Sequence, residues 1–187
     1  RITNLLGQFK GFDLSVTNSH YGYAQGGSFQ YVPITELKEG YPAGVFWLPQ
    51  HAGFDMNRNE LFVTYDNEGK ASGTNTTFTD KDRQYIDPTP DFEWGFTNSF
   101  SYKNFDLSIF IRGVQGSKIF ANSLLNLGSW AYIPGANVTE DALTNGFVKK
   151  PNISTYWLQD GSFARLENVT LGYTFNHIKS MHKLRIY

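Results

Sequence analysis

The segment Asp160–Phe175 restricts the fold of this chain more than any other stretch. Its second half alternates large apolar residues with small or polar ones, and the large ones are Val169, Leu171, Tyr173 and Phe175. Because the side chains of a β-strand point alternately to opposite sides, this period of two predicts a strand with one apolar face. The opposite face is small and polar, which suits a water-filled lumen better than a packed core.

Two charged residues interrupt this alternation. Arg165 and Glu167 share the parity of the large residues and would lie on the apolar face of a regular strand. Two explanations remain open at this stage. Either a β-bulge near Leu166 resets the register, or both charges lie above the hydrocarbon region of a membrane.

A second periodic region predicts an antiparallel hairpin, which we assign to residues 92–120. Large residues occupy the even positions of Phe92–Tyr102 and the odd positions of Phe105–Ile111, with a tight turn at Lys103–Asn104. This pattern gives both arms one shared apolar face. Each arm has about the 9–11 residues that a tilted strand needs to cross a bilayer.

The connections between these segments alternate in length. Residues 18–90 and 121–161 lack a sustained period, whereas residues 162–187 are predicted to contain a strand, a short turn at 176–183 and the start of the next strand. Outer-membrane barrels have short periplasmic turns and long extracellular loops. We therefore predict that 18–90 and 121–161 are extracellular loops. Within the first loop, Leu61–Gly69 is typical of one arm of a hairpin and its turn.

Composition excludes several classes of function. The net charge of −1 provides no basic field for nucleic acid, and the absence of cysteine excludes disulfides and thiolate metal sites. There is no apolar run of about 18 residues, so no transmembrane helix is predicted. The mean hydropathy of −0.39 is typical of soluble proteins. A transmembrane strand, however, needs only every second residue to be apolar.

The residues that carry chemistry do not form a recognisable site. Gly113–Lys118 has the order Gly-Ser-Lys, whereas a phosphate loop ends in Gly-Lys-Ser or Gly-Lys-Thr. The four histidines have no ligand-like spacing, and the acidic run Asp80–Asp91 lacks the pattern of an EF-hand. A glycoside hydrolase would need two carboxylates about 5–10 Å apart across a cleft, and none can be identified. We predict no catalytic residue, no metal, no cofactor and no enzyme activity.

The loops are rich in aromatic residues, which make up 17% of the whole chain. Aromatic rings in loops can stack on sugars or on peptide side chains. The candidate substrate-binding residues are Trp47, Trp130, Tyr132 and Trp157. The same residues would equally serve to anchor the loops to each other or to form an aromatic girdle at a membrane interface.

Several motifs occur in an order that resembles a known family. They are EGYPAGVFW at 39–47 with AGFD at 52–55, Pro90–Gly95 with YKNFDL at 102–107, GSKIF at 116–120 with Asn122, DGSFARLENVTLGYTF at 160–175, and LRIY at 184–187. Together they resemble the C-terminal barrel portion of SusC/RagA-type TonB-dependent transporters, which are outer-membrane proteins of Bacteroidetes-like bacteria. The resemblance covers residues 36–187.

This resemblance implies an all-β fold that is a fragment of a large antiparallel transmembrane β-barrel, with about four of about 22 strands. It also implies a nutrient importer in the bacterial outer membrane that takes up oligosaccharides or peptides. The implied partners are a SusD-like lipoprotein, outer-membrane lipid, and TonB acting through a plug domain. Residues 1–187 contain no counterpart of that plug or of a TonB box, so we expect a piece of a larger protein.

The alternative is a soluble β-sandwich, such as a carbohydrate-binding module. A sandwich would bury Trp94, Phe96, Leu107 and Ile109 against a second sheet. In a barrel the same side chains would form an exposed band about 25 Å tall. The exposure of this face therefore distinguishes the two folds.

Overall fold

The computed structural model describes residues 20–25, 29, 32–38, 41–133, 135–178 and 181–187. These residues form two compact units. The sheet unit consists of Thr89–Ser117 and Asp160–Tyr187. The core unit consists of the described residues up to Pro88 together with Lys118–Gln159. Residues 1–19 of the predicted barrel domain lie outside the described part.

The described residues are mostly β-strand, as predicted. The strands are β1 (His20–Tyr23), β2 (Pro33–Glu36), β3 (Phe46–Pro49), β4 (His51–Phe54), β5 (Glu60–Tyr65), β6 (Ala71–Asn75), β7 (Arg83–Ile86), β8 (Phe92–Tyr102), β9 (Phe105–Gln115), β10 (Lys118–Phe120), β11 (Leu158–Asp160), β12 (Phe163–Ile178) and β13 (Met181–Ile186). The helical segments are the α-helix α1 (Asn122–Leu127) and the 3-10 helices Asp80–Asp82, Trp130–Tyr132, Glu140–Leu143 and Thr155–Trp157.

The sheet unit is one antiparallel sheet with the strand order β13–β12–β9–β8. Its four strands confirm the predicted count, and β8 and β9 form the predicted hairpin. The turn falls at Lys103–Asn104, where Tyr102 pairs with Phe105 and Lys103 takes a left-handed φ of 53°. Strand β12 reaches this turn as well, because the amide of Thr174 donates to the carbonyl oxygen of Asn104 at 2.8 Å.

The pairing register gives this sheet two chemically different faces. Phe96 pairs with Ile111 and Phe100 pairs with Leu107, so the large residues of β8 and β9 share a face. Strand β12 continues that face, since Leu171 also pairs with Leu107. Alternation along each strand places the small and charged residues on the other side.

A β-bulge in β12 explains the two misplaced charges of the sequence. Leu166 pairs with Ile111 and Asn168 pairs with Phe110, so the register shifts by one residue between them. Before the bulge Arg165 pairs with Arg112 on the polar face, and after it Val169 returns to the apolar face. The first of the two explanations, the bulge near Leu166, is therefore confirmed.

Two predicted boundaries need correction. The hairpin ends at Gln115 and does not reach residue 120, because Gly116 takes a φ of 82° and turns the chain away from β9. Lys118–Phe120 then forms the separate strand β10, which pairs with β11. The turn predicted at 176–183 is also too long, since β12 continues to Ile178 and β13 already begins at Met181.

The core unit is more regular than its sequence suggested. The region predicted as a long loop over 18–90 contains two small antiparallel sheets, with the strand orders β1–β2–β3–β7 and β4–β5–β6. The hairpin predicted at Leu61–Gly69 is confirmed by the pairing of β5 with β6. Its turn is fixed by Asp66, whose side chain accepts hydrogen bonds from the amides of Glu68 and Lys70, both at 2.9 Å.

Aromatic and aliphatic side chains from both long connections pack into one hydrophobic cluster in this unit. Its most deeply buried large members are Leu48, Leu125, Phe147 and Trp157, each at most 2% exposed. Burying one large apolar side chain stabilises a fold by about 1.5–3 kcal/mol. The cluster therefore holds the short strands and 3-10 helices together, which their few backbone hydrogen bonds would not do alone.

Within the described ranges, no helix combines the length and the apolar character needed to cross a membrane.

Candidate functional site

The apolar face of the sheet unit is open to its surroundings. Most of its large residues on β8, β12 and β13 are between 38% and 72% exposed, whereas Tyr173 and Leu184 are half-buried. The exposed ones are Phe92, Trp94, Phe96, Phe100, Tyr102, Leu166, Val169, Leu171, Phe175 and Ile186. On β9, Leu107 and Ile109 are only half-buried. A sandwich would cover these residues with a second layer, so the alternative of a soluble β-sandwich is contradicted.

The length of the strands fits the thickness of a membrane. Strands β8 and β9 have 11 residues each, and at about 3.3 Å per residue each arm spans about 36 Å. A tilt of about 45° reduces that span to about 25 Å, which is the height of the apolar band of a transmembrane barrel.

The opposite face carries the charged residues of the sheet. Glu167 accepts hydrogen bonds from the Nε atoms of Arg112, at 2.9 Å, and Arg165, at 2.7 Å. Arg185 forms an ion pair with Asp106 on the same face. Exposed ion pairs of this kind add little stability. Their confinement to one face nevertheless requires that this face be in contact with water, since isolated charges are costly in lipid.

A glycine in each face leaves room for the side chain of a cross-strand neighbour. On the apolar face, a Cβ atom at Gly113 would overlap the indole ring of its cross-strand neighbour Trp94. On the polar face, a Cβ atom at Gly172 would overlap the carboxylate of Asp106. The two glycines thus make room for close side-chain contacts within the sheet.

The four predicted substrate-binding residues all lie in the core unit, in different environments. Trp157 is 1% exposed, and its indole N–H donates to the carbonyl oxygen of Asn152 at 2.9 Å. Trp47 is 7% exposed, with the guanidinium of Arg83 at 4.4 Å from its ring centroid. Both rings therefore present little surface to a ligand in this conformation. Their predicted role in substrate binding stays a prediction.

The other two predicted residues occupy one 3-10 helix. Trp130 is 51% exposed, which leaves much of its indole available for stacking. Tyr132 packs against the hydrophobic cluster that contains Trp157, and its hydroxyl group is buried without a hydrogen-bond partner within the described segments. Burial raises the pKa of this hydroxyl. The cluster thus brings Tyr132 and Trp157 together but includes neither Trp47 nor Trp130.

Sequence reasoning missed a buried polar group in the same unit. Glu60 is 8% exposed, and its Oε2 atom accepts hydrogen bonds from the backbone and side-chain amides of Asn152, both at 2.7 Å. His51 Nδ1 lies 3.8 Å from Glu60 Oε1. No local pattern could have revealed this arrangement, because Glu60 and Asn152 are 92 positions apart.

Burial shifts both titratable groups toward their neutral forms. Desolvation lowers the pKa of His51, which lies among the rings of Phe54, Phe147 and Tyr156. Desolvation also raises the pKa of Glu60, and the two hydrogen bonds from Asn152 offset this in part. At neutral pH, His51 is therefore uncharged and its contact with Glu60 is not an ion pair.

Over the described ranges, no cluster of three or more histidine, aspartate or glutamate side chains is arranged to hold a metal ion.

An antiparallel sheet with membrane-spanning strands, one exposed apolar face and one charged face defines the class of this protein: it is a segment of the wall of a transmembrane β-barrel. No protein-family model matches the chain. It is 33% identical over 181 residues, 90% of its length, to TonB-dependent receptor P3 of Formosa agariphila. It is 28% identical over 152 residues, 75% of its length, to TonB-dependent receptor SusC of Bacteroides thetaiotaomicron.

A solved structure supports the same relationship at the level of the fold. The RagAB peptide transporter matches 75% of this chain and 18% of its own with a TM-score of 0.59, at 20% sequence identity. The recognition made from the motifs is confirmed, and the chain belongs to the SusC/RagA-type TonB-dependent receptors. It spans 15% of the length of receptor P3 and 14% of the length of SusC. Both of these relatives are named as receptors and not as enzymes.

Proposed function

We propose that this chain is part of a TonB-dependent nutrient importer in the bacterial outer membrane, and that the importer takes up oligosaccharides or peptides. The observation that carries this proposal is the 33% identity to a TonB-dependent receptor over 90% of the chain. The two-faced sheet supports it independently, since its exposed apolar band suits lipid and its charged face suits an aqueous lumen.

The protein performs no chemistry on its substrate in this proposal. The sheet unit forms part of the barrel wall, and the core unit forms extracellular loops over 18–90 and 121–161. The two-residue turn at Lys103–Asn104 and the short connection between β12 and β13 lie on the periplasmic side. This assignment follows the length asymmetry of outer-membrane barrels.

The proposed partners follow from the relatives. The names SusC and RagAB support a SusD-like surface lipoprotein that binds the extracellular loops. Energy would reach the importer from TonB through a plug domain elsewhere in the full-length protein. The half-exposed indole of Trp130 is the most accessible of the predicted substrate-binding rings.

Growth of a strain that lacks the full-length gene tests import directly. We expect the deletion strain to lose growth on a tryptic peptide mixture or on an oligosaccharide mixture as the sole carbon source, and a tonB deletion to cause the same loss. The substrate that no longer supports growth identifies the imported class. Unchanged growth of the deletion strain on both mixtures would overturn the proposal.

Cysteine labelling tests the proposed orientation. This chain contains no cysteine, so Asn67→Cys in the exposed β5–β6 turn and Lys103→Cys in the β8–β9 turn each add one thiol to it. A membrane-impermeant maleimide applied to intact cells should label the full-length receptor at position 67 and not at position 103. The parent receptor is the control for background labelling. Labelling at 103 with protection at 67 would reverse the proposed orientation.

A further inference from the structure

The core unit contains a polar cavity of about 350 Å³ next to the missed Glu60. Two segments far apart in sequence form most of its lining, namely the β4–β5 turn with the start of β5 and the segment around Lys149 and Asn152, and Thr76 after β6 completes it. The lining side chains that matter here are Arg58, Asn59, Glu60, Lys149 and Asn152. A volume in this range accommodates a small ligand or one residue of a longer one.

The cationic edge of the cavity is fixed in place by its neighbours. The carboxylate of Asp55 accepts hydrogen bonds from the amide of Asn57, at 2.8 Å, and from the backbone and side chain of Asn59, at 2.8 and 2.7 Å. Asn59 in turn accepts a hydrogen bond from Lys149 Nζ at 2.6 Å. The ammonium group is therefore held at the edge of the cavity.

Arg58 is held in the same turn with a φ of 59°, a conformation that few non-glycine residues adopt. Its guanidinium forms no hydrogen bond or ion pair with the residues that the structure describes, so its donors are available. The Asp55 carboxylate instead accepts its hydrogen bonds from Asn57 and Asn59.

Glu60, on the buried side of the cavity, already faces other protein groups. Its Oε2 atom accepts hydrogen bonds from both donors of Asn152, and its Oε1 atom is buried 3.8 Å from His51 Nδ1. The cations at the edge of the cavity therefore decide which ligand group it can bind.

We propose that this cavity binds the carboxylate group of a ligand, and that Arg58 and Lys149 contact this carboxylate. A C-terminal peptide residue and a hexuronic acid both carry such a group. The inference rests on the proposed import function and deepens it by naming the chemical class of the substrate.

Calorimetry on the purified full-length receptor, with two matched pairs of probes, tests the assignment. The peptide pair is triglycine and triglycine amide, and the sugar pair is trigalacturonate and galactotriose. We expect at least one acid to bind at least about tenfold more tightly than its neutral counterpart, because hydrogen bonds between charged partners are stronger than neutral ones. The acid that binds identifies the source of the carboxylate.

Substitutions in the cavity connect that binding to the named residues. Arg58→Gln and Lys149→Gln should each weaken binding of the acid about tenfold or more and leave the neutral probe unaffected. Lys70→Gln, in the exposed β5–β6 turn outside the cavity, is the matched control and should change neither.

Two results would overturn the inference: no measurable binding of either acid at about 1 mM, or binding that Arg58→Gln and Lys149→Gln leave unchanged. Either result leaves the import proposal standing if the deletion strain still loses growth. Conversely, acid binding in a receptor whose deletion does not affect growth would support the site and refute import.

Discussion

The sheet unit and the core unit use the same kinds of large apolar residues in opposite ways. In the core unit, Phe62, Phe147 and Trp157 are at most 2% exposed. In the sheet unit, Phe96 and Phe100 are 52% and 54% exposed. The core unit packs these three rings into an interior, whereas the sheet unit presents Phe96 and Phe100 to a surrounding medium. The number of apolar residues in a segment therefore does not show whether they form a buried core. Their pattern along the chain distinguishes a packed interior from an exposed apolar face.

The polar groups of the two units differ in a corresponding way. The core unit buries single polar groups, and some of them bond to distant partners, as Glu60 Oε2 does to Asn152. Among its described side chains, the sheet unit buries no charge and keeps its ion pairs on one face, where Arg112, Glu167 and Arg165 pair with each other. This contrast leads to four predictions, which are best measured on the full-length receptor.

The largest effect is expected from removing a ring from the packed interior. Trp157→Ala should destabilise the core unit by about 3–5 kcal/mol, because it leaves a cavity in a cluster that cannot collapse fully. Hydrogen exchange of the β4–β5 amides in the purified receptor measures this. Trp130→Ala is the control, and its effect should stay within about 0.5 kcal/mol because that side chain is 51% exposed. Equal effects at both positions would contradict the proposed burial.

The next effect separates the two faces of the sheet. Phe96→Arg should destabilise the barrel by about 2–4 kcal/mol, since it places a charge on the lipid face near the middle of a strand. Thr97→Arg, one residue along β8 and on the opposite face, should reduce the free energy of unfolding of the barrel much less. Urea unfolding of the receptor in lipid vesicles measures both. Equal costs would show that the apolar face does not contact lipid.

A smaller effect should follow pH in the core unit. His51 has a pKa below its usual value of 6.5, so the stability it contributes is present above pH 6.5 and is lost as pH falls through the lowered value. His51→Phe keeps an aromatic ring among the rings that surround it and removes this dependence. The difference in thermal unfolding temperature between the parent and the variant should therefore change between pH 7 and pH 5.

Glu60 acts in the opposite direction, because its pKa is raised. Its contribution is present below pH 4.5 and is lost as pH rises through the raised value. Glu60 is present in both the parent and the His51→Phe variant. Its contribution to the pH dependence of the unfolding temperature therefore cancels when the two proteins are compared. A difference between the two proteins that does not change with pH would refute the role given to His51.

The smallest effect is expected at the charged face of the sheet. Glu167→Gln leaves Arg112 and Arg165 as direct cross-strand partners without the carboxylate between them. Like charges in this position repel, so stability should fall slightly, and the loss should shrink at about 1 M NaCl because salt screens exposed charges. The double variant Glu167→Gln with Arg165→Gln should restore most of the lost stability, because it removes one of the two like charges. A loss independent of salt would indicate a packing effect instead.

The sequence predicted the sheet unit far better than the core unit, for a physical reason. In the sheet, long strands with one apolar face repeat their pattern over enough residues to be recognised, and the charges at Arg165 and Glu167 even indicated the bulge. In the core unit, most strands have three to six residues, too few for a period to stand out. The motif resemblance supplied the family but not these local folds.

The candidate sites show the same limit. Trp157 was predicted as a ligand contact because aromatic residues in loops can bind ligands, and the sequence did not indicate that its ring is 1% exposed. Its role in ligand binding stays a prediction. The cavity beside Glu60 was missed because its two sides meet only in three dimensions, through Asn152 and through the hydrogen bond between Lys149 and Asn59. Sequence periodicity predicts which residues share a face of one strand or helix. It does not predict a cavity that two loops distant in sequence form together.

The bulge at Glu167 has a consequence for how this protein can evolve. Deleting Glu167 would remove the bulge and join Leu166 directly to Asn168, so Arg165 and Val169 would each keep their partner and their face. Deleting or inserting a residue elsewhere in the paired part of β12 would instead move every side chain on one side of the change to the opposite face. Descendants of this gene should therefore vary in length at position 167 while the rest of this strand keeps a constant number of residues.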